Sequence, residues 1–92
     1  MLTNWFVYIV KCGDSSYYVG ITTDLKKRVE DHNNAVYKGA YTKGRLPVTL
    51  VYSEMFKNKF SAAKREREIK GWSRSKKEML VESLRRAKRD GE

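Results

Sequence analysis

The amino-acid sequence predicts a single α+β domain, in which a small three-stranded antiparallel sheet is flanked by helices in the order β-β-α-β-α-α. Two observations lead to this fold class. Two apolar runs rich in β-branched and aromatic residues, Trp5 to Val10 and Tyr17 to Ile21, flank a short polar segment, which is typical of a β-hairpin. A third such run, Val48 to Phe56, follows one helical stretch and precedes two more. The 92 residues suffice for one domain with a modest core.

The polar segment between the first two strands determines their register. We expect residues 13–15 to form a three-residue loop, which places Tyr8 opposite Gly20. Because side chains alternate along a strand, Tyr8 and Tyr18 then lie diagonally on one sheet face, and Gly20 leaves a gap beside them. A two-residue loop would place the two phenols on opposite faces. Aromatic residues are ordinary in strands, so the hairpin alone also fits a surface that only packs on a helix.

A first helix is expected from about Asp24 to Asn33, because the segment Thr22-Thr23-Asp24 supplies residues that are favoured at an N-cap. At about 100° per residue, Leu25 and Val29 define its inner stripe. Arg28 and His32 lie on or beside that stripe and are neighbours on the helix surface, four residues apart. Both residues also have a structural interpretation, with the arginine stem covering the core and the histidine capping or packing.

The stretch from Asn33 to Pro47 is expected to be a loop, because glycine and proline interrupt it and no apolar period continues through it. Basic and aromatic side chains in such a loop favour contacts to phosphate or sugar, although a merely solvated loop remains an alternative. We add Gly20, whose missing side chain leaves room beside the tyrosines. The candidate nucleic-acid-binding residues are Gly20, Lys38, Tyr41, Lys43 and Arg45.

The last part of the chain is expected to form the third strand and two helices, at Phe60 to Gly71 and Ser73 to about Lys88. Strict alternation along the strand would place three side chains on one face: Leu50, Tyr52 and Glu54. Helical periodicity in the last helix gives an inner stripe of Leu80, Leu84 and Ala87.

The middle of the second helix carries an unusual carboxylate. Ala62 and Ile69 mark the least charged side of this helix, and Glu66 projects near the middle of that side. A carboxylate on an inward stripe needs a cation, a metal or hydrogen-bond donors, because burying it alone is very unfavourable. Two alternatives stay open: an ion pair with Arg28 that acts as a structural clamp, or a metal ligand. Glu68 points elsewhere and should be exposed and dispensable.

Composition limits the function further. The chain has 20 Lys and Arg against 11 Asp and Glu, a net charge of +9, which favours a polyanionic partner. No apolar stretch is long enough to span a bilayer, and no signal peptide is recognised. Cys12 is the only cysteine and His32 the only histidine, which excludes an intrachain disulfide and a Cys/His zinc site. Counting leaves a nucleophilic Cys12–His32 pair open. We expect a soluble, cytoplasmic domain that faces nucleic acid.

The ordered set of these candidates resembles the GIY-YIG nuclease domain. The two halves of the motif stand here as Phe6-Val7-Tyr8 and Tyr18-Val19-Gly20, so that phenylalanine replaces the first glycine. Arg28 and His32 on the next helix, and Glu66 after the third strand, follow in the family's order. The similarity runs over about residues 5–77 and is closest to the small stand-alone bacterial members.

The resemblance implies a metal-dependent endonuclease that hydrolyses DNA phosphodiesters, with structured or repair-related DNA among its expected substrates. It implies one Mg²⁺ or Mn²⁺ ion held by Glu66, and Arg28 as the cation that neutralises phosphate charge. Either Tyr8 or Tyr18 could activate or orient water; we favour Tyr8 for this role, with Tyr18 positioning the phosphate and His32 supporting a proton. The implied catalytic residues are Tyr8, Tyr18, Arg28, His32 and Glu66. This sequence departs from the family pattern at two positions. Some relatives carry a lysine three positions after the second tyrosine, where this chain has Ile21. Repair-type members carry an asparagine beyond the glutamate, which has no clear counterpart here.

A second class of function remains open on the same fold. A catalytically silent module would use the aromatic strands for stacking and the lysines and arginines for phosphates of DNA or RNA. The absence of an RNP1-like run argues against an RRM. Metal binding at Glu66 separates the two classes, because a nuclease needs it there and a silent module does not.

Overall fold

The computed structural model describes residues 3–34 and 47–90, with side chains up to residue 88. Six elements follow one another in the predicted order. They are β1 (Trp5–Lys11), β2 (Tyr17–Thr22), α1 (Leu25–Asn33), β3 (Thr49–Phe56), α2 (Lys59–Lys70) and α3 (Arg74–Asp90). The three strands form one antiparallel sheet in the order β2-β1-β3, so the predicted fold class is confirmed. Among the described residues, no helix has both the length and the apolar character that crossing a bilayer requires.

The hairpin between β1 and β2 has the predicted register. Tyr8 lies opposite Gly20, and the backbone N–H of Cys12 donates to the carbonyl oxygen of Ser16 over 2.8 Å. Ser15 closes the three-residue loop with a φ of 69°, the left-handed conformation that this type of turn requires at its last position. Tyr8 and Tyr18 therefore share one sheet face, as the sequence predicted.

Strict alternation along β3 is a wrong prediction, because a β-bulge interrupts the strand. Tyr52 pairs with Ile9, but Leu50 pairs with the next residue of β1, so Val51 is an extra residue. The bulge moves Leu50 to the sheet face opposite Tyr52, where it is 38% exposed. Tyr52 and Glu54 stay together on one face, and the tyrosine hydroxyl donates to the carboxylate over 2.7 Å.

The sheet is the middle of three layers. On the face that we call the α2–α3 face, helices α2 and α3 cover an apolar core. Its main members are Val7, Ile9, Val19, Ala62 and Ile69, with Leu80 and Val81 packed against them. On the opposite face, the α1 face, helix α1 covers the second core cluster through Leu25 and Val29. That cluster contains Tyr8, Val10, Cys12 and Val48, with Tyr18 beside them.

Local hydrogen bonds determine where the helices begin. Within the predicted N-cap segment Thr22-Thr23-Asp24, it is Asp24 that caps α1, by accepting from the backbone N–H of Lys27 over 3.0 Å. The side chain of Asn58 caps α2 in the same way. In α3, Leu80 and Leu84 lie on the packed side, but Ala87 is exposed. The predicted inner stripe is therefore wrong at its last member, because the packed part of α3 ends before Ala87.

Candidate active site

Three rings meet on the α1 face. Tyr8, on the central strand, is fully buried, and its hydroxyl oxygen lies 3.3 Å from Nε2 of His32 on α1. The ring centroid of Tyr18 lies 6.3 Å from that of Tyr8 and 5.5 Å from that of His32, which it meets edge-on. The structure thus brings together three of the five predicted catalytic residues, which lie far apart in the chain.

Gly20 makes this arrangement possible. A Cβ at this position would lie 2.5 Å from the hydroxyl oxygen of Tyr8, closer than such atoms approach. The gap that the sequence predicted beside Gly20 is therefore filled by the Tyr8 side chain. Gly20 itself is buried, and a contact from it to nucleic acid stays a prediction.

The environment of His32 favours its neutral form. Burial lowers the pKa of this imidazole below its ordinary 6.5, and the nearby Arg28 guanidinium lowers it further, against a smaller opposing effect of Asp31. At neutral pH the ring therefore carries one proton. When that proton is on Nδ1, Nε2 accepts a hydrogen bond from the Tyr8 hydroxyl.

Arg28 lies one helical turn before His32 on α1 and is half-buried. It also lines a small surface cleft at the start of the helix, together with Thr22, Thr23, Asp24, Lys27 and Asp31. The guanidinium thus belongs to the same face as the three rings, at the border between the buried cluster and solvent.

Glu66 lies in a different layer, on α2. Its side chain is 22% exposed, and its Oε2 atom lies 3.4 Å from Nζ of Lys70, one turn further along the helix. The predicted ion pair between Glu66 and Arg28 is therefore replaced by one between Glu66 and Lys70. The four-residue spacing of Glu66 and Lys70 on one helix is the sequence signal that indicates this pair. Glu68 is 51% exposed and lies 3.4 Å from Arg65, which agrees with its predicted exposure.

The predicted loop residues Lys38, Tyr41, Lys43 and Arg45 lie outside the described residues. The residues that flank this segment are described, and they are hydrogen-bonded to each other. The side-chain amide of Asn33 donates to the carbonyl oxygen of Val48 over 3.1 Å and accepts from the N–H of Val48 over 2.7 Å. Asn33 was not singled out from the sequence, where nothing distinguishes it from other loop-edge asparagines. This clamp holds the C-terminal end of α1, directly after His32, against the start of β3.

The described residues contain no group of three or more His, Cys, Asp and Glu side chains placed to hold a metal ion. Cys12 is buried in the α1-face cluster. Within the described residues, any metal site at Glu66 would therefore rest on one carboxylate and on waters rather than on a cage of protein ligands.

Residues 4–79 match the family model described as the GIY-YIG catalytic domain. The chain belongs to the GIY-YIG family. This is a superfamily of nucleases, which confirms the resemblance drawn from the motif residues and implies nucleic-acid binding in general. A UPF0213 protein of Haloquadratum walsbyi is 50% identical over 78 residues, covering 84% of this chain and 85% of the relative. A UPF0213 protein of Staphylococcus saprophyticus is 54% identical over 77 residues, covering 83% and 92%.

Two solution NMR structures resemble this GIY-YIG domain. The UPF0213 protein BH0048 of Bacillus halodurans superimposes with a TM-score of 0.56 at 43% identity, covering 86% of this chain and 83% of the other. The protein EF2693 of E. faecalis superimposes with a TM-score of 0.61 at 28% identity, covering 92% of each chain. The names of these relatives state no activity or substrate.

Proposed function

We propose that this GIY-YIG protein is a divalent-metal-dependent endonuclease that hydrolyses phosphodiester bonds in DNA, with its reacting groups on the α1 face. The observation that carries the proposal is the cluster of Tyr8, Tyr18 and His32, with ring centroids 5.5 to 6.4 Å apart, beside Arg28 on a nuclease-family fold. Ordinary core packing would not require a histidine, a buried phenol hydroxyl and an arginine on one face.

Arg28 supplies the positive charge that the reaction needs. A phosphodiester is anionic, and attack by water builds further charge on the phosphate oxygens. A guanidinium presents forked donors that match two such oxygens. The half-buried position of Arg28 supports this role, because charge interactions strengthen where water is partly excluded.

The burial of the two phenols divides their roles. Tyr18 is partly exposed and can contact a water or a phosphate directly, whereas no part of Tyr8 is exposed. We therefore assign the contact with the attacking water and the phosphate to Tyr18. The buried Tyr8 hydroxyl and neutral His32 form the pair that orients Tyr18 and takes up a proton. This assignment moves the contact with the attacking water from Tyr8, which the sequence favoured, to Tyr18, and leaves the phosphate contact with Tyr18.

Glu66 is the residue that we propose as the metal ligand. One partly exposed carboxylate, held by a single long contact to Lys70, fits a hard cation such as Mg²⁺ or Mn²⁺ that keeps most of its waters. Such an ion supplies a Lewis acid that neutralises phosphate charge and assists the leaving oxygen. Helix α2 packs against β2, which is an edge strand. A phosphodiester bound over the β2 edge would therefore lie between α2 and the α1 face.

The test is Mg²⁺-dependent cleavage of single-stranded, duplex and branched DNA under single-turnover conditions. Glu66→Gln should lower the rate by at least 100-fold and leave DNA affinity unchanged. Glu68→Gln is the matched control, because it removes the same charge and one ion pair from the same helix. Arg28→Ala should also abolish cleavage, whereas Lys26→Ala removes an exposed charge of α1 and should not. If the Glu66→Gln variant cleaves DNA at the wild-type rate, Glu66 is not the metal ligand.

One observation favours a second candidate, a catalytically silent nucleic-acid-binding module. The described residues contain no converging set of metal ligands, and the net charge of +9 would by itself give binding to DNA or RNA. Titration with paramagnetic Mn²⁺ separates the two candidates without an activity measurement. The nuclease should show selective broadening of the Glu66 and Lys70 NMR signals, and the silent module should not.

A further inference from the structure

A small cleft of about 190 Å³ lies where the β-hairpin meets the start of α3, apart from the ring cluster. Ser16, Tyr17, Arg74 and Lys77 line it. Its lining provides two cations and the hydroxyl group of Tyr17, whereas the Ser16 hydroxyl donates to the Asp14 carboxylate over 2.6 Å. This combination matches the size and charge of a phosphate group.

The Arg74 side chain is held in place before any ligand arrives. Its guanidinium lies 5.0 Å from the ring centroid of Tyr17, and its Nε lies 2.9 Å from a carboxylate oxygen of Glu78. Both contacts restrict the long side chain, so less conformational entropy remains to be lost on binding an anion. The second cation of the cleft, Lys77, is half-buried.

Basic residues outnumber acidic ones in the sequence around the cleft. Helix N-termini carry a partial positive charge and usually have acidic residues in their first turn. The first turn of α3 contains no acidic residue, and the stretch from 70 to 77 contains four basic residues and no acidic one. Local arrangements that oppose the general rule are expected at functional sites. Two of the four basic residues are ion-paired, Lys70 with Glu66 and Arg74 with Glu78, so an anion in the cleft would chiefly add a partner for the charge of Lys76 and Lys77.

We propose that this cleft binds a backbone phosphate of the nucleic acid on which the protein acts. The inference rests on the proposed function only in taking the partner to be nucleic acid. Tyr17 and Tyr18 are adjacent on the edge strand β2 and point to opposite sheet faces. A nucleic-acid backbone that crosses the β2 edge therefore meets Tyr18 on one side and the cleft on the other, so the cleft sets the register of the strand on the α1 face.

Binding of a fluorescent 20-base-pair DNA duplex, measured in EDTA over a range of salt concentrations, tests the proposal. Arg74→Gln/Lys77→Gln should weaken binding by at least 10-fold and reduce the slope of log Kd against log salt by roughly 1, because one phosphate contact is lost. Arg85→Gln/Arg86→Gln is the matched control, because it removes the same charge from exposed positions of the same helix. If both double variants weaken DNA binding equally, the effect comes from net charge alone and the proposal is overturned.

A second measurement uses the wild-type protein, so that misfolding of a variant cannot decide the outcome. Titration of ¹⁵N-labelled protein with the same duplex should shift the amide signals of Ser16, Tyr17 and Lys77 together, and inorganic phosphate at millimolar concentration should shift the same signals. If the amide signals at these positions do not change, the proposal that the cleft binds a phosphate is refuted. If the wild-type protein does not cleave DNA, the proposed nuclease function is refuted. The phosphate site in the cleft is not affected by that result, because its test requires no catalysis.

Discussion

The two faces of the sheet are built from the same three strands but contain different kinds of core. The α2–α3 face buries aliphatic side chains, with Val7, Ile9 and Ile69 fully inaccessible to solvent. The α1 face buries a tyrosine and a histidine, Tyr8 and His32, at 0% and 4% exposure. Strand alternation separates the two sets, because neighbouring residues of β1 point to opposite faces. The comparison shows that one hairpin supports an aliphatic core on one side and a cluster with buried polar and aromatic groups on the other.

The largest expected effect on stability lies in the aliphatic core of the α2–α3 face. Ile69→Ala should lower the free energy of unfolding by about 2 to 5 kcal/mol, because it removes a fully buried side chain and leaves a cavity. Met79→Ala, at a position 72% exposed on α3, should change it by less than about 0.5 kcal/mol. Chemical denaturation at neutral pH measures both. Similar values for the two variants would contradict the assignment of stability to the α2–α3 face.

The α1 face should be intolerant of added volume at Gly20. Gly20→Ala should cost about 1 to 3 kcal/mol, because the new Cβ would collide with the Tyr8 hydroxyl 2.5 Å away. Gly71→Ala is the matched control, since a Cβ there meets its nearest atom, the carbonyl oxygen of Glu68, at an ordinary 3.5 Å. Thermal unfolding compares the two variants. If both substitutions are equally tolerated, the close packing of Tyr8 on Gly20 is not essential.

Alkaline pH should act on the α2–α3 face. Burial and the hydrogen bond to the Glu54 carboxylate raise the pKa of Tyr52 from 10.0 to about 12. The unfolded chain then releases this proton at lower pH than the folded chain does. Stability from this group is complete below pH 10 and is lost as the pH rises towards 12. Ultraviolet titration of tyrosinate should show one late-titrating group that is absent from Tyr52→Phe, and no difference between the two proteins would refute it.

Acid should have a smaller effect, and on the α1 face. The pKa of His32 is lowered in the folded protein, chiefly by burial and then by Arg28, so the unfolded chain binds a proton more readily. Stability should therefore fall as the pH drops below the ordinary value of about 6.5. His32→Gln should flatten this part of the pH profile. NMR titration of the single imidazole checks the cause, and a pKa at or above 6.5 would contradict it.

The sequence predicted those parts of the fold that depend on local rules. A short polar loop between two apolar runs sufficed for the register that places Tyr8 opposite Gly20, and Asp24 sufficed for the start of α1. The bulge at Val51 has no signature in the local sequence, because it results from how β3 pairs with β1. The contact between the Tyr8 hydroxyl and His32 joins residues 24 positions apart and depends on tertiary packing. The sequence placed Glu66 near the middle of the inward stripe of α2, where its side chain is 22% exposed and its ion-pair partner is Lys70 rather than Arg28.

The most direct test of the account compares one hydroxyl from each face. Tyr18→Phe and Tyr52→Phe each remove a single phenolic oxygen, the first beside the His32 ring and the second within the network of Glu54. Single-turnover cleavage of DNA in Mg²⁺ should fall by about 100-fold or more in Tyr18→Phe, the size expected for losing a proton-transfer group. It should stay at the wild-type rate in Tyr52→Phe. Undiminished cleavage by folded Tyr18→Phe would contradict the placement of the chemistry on the α1 face.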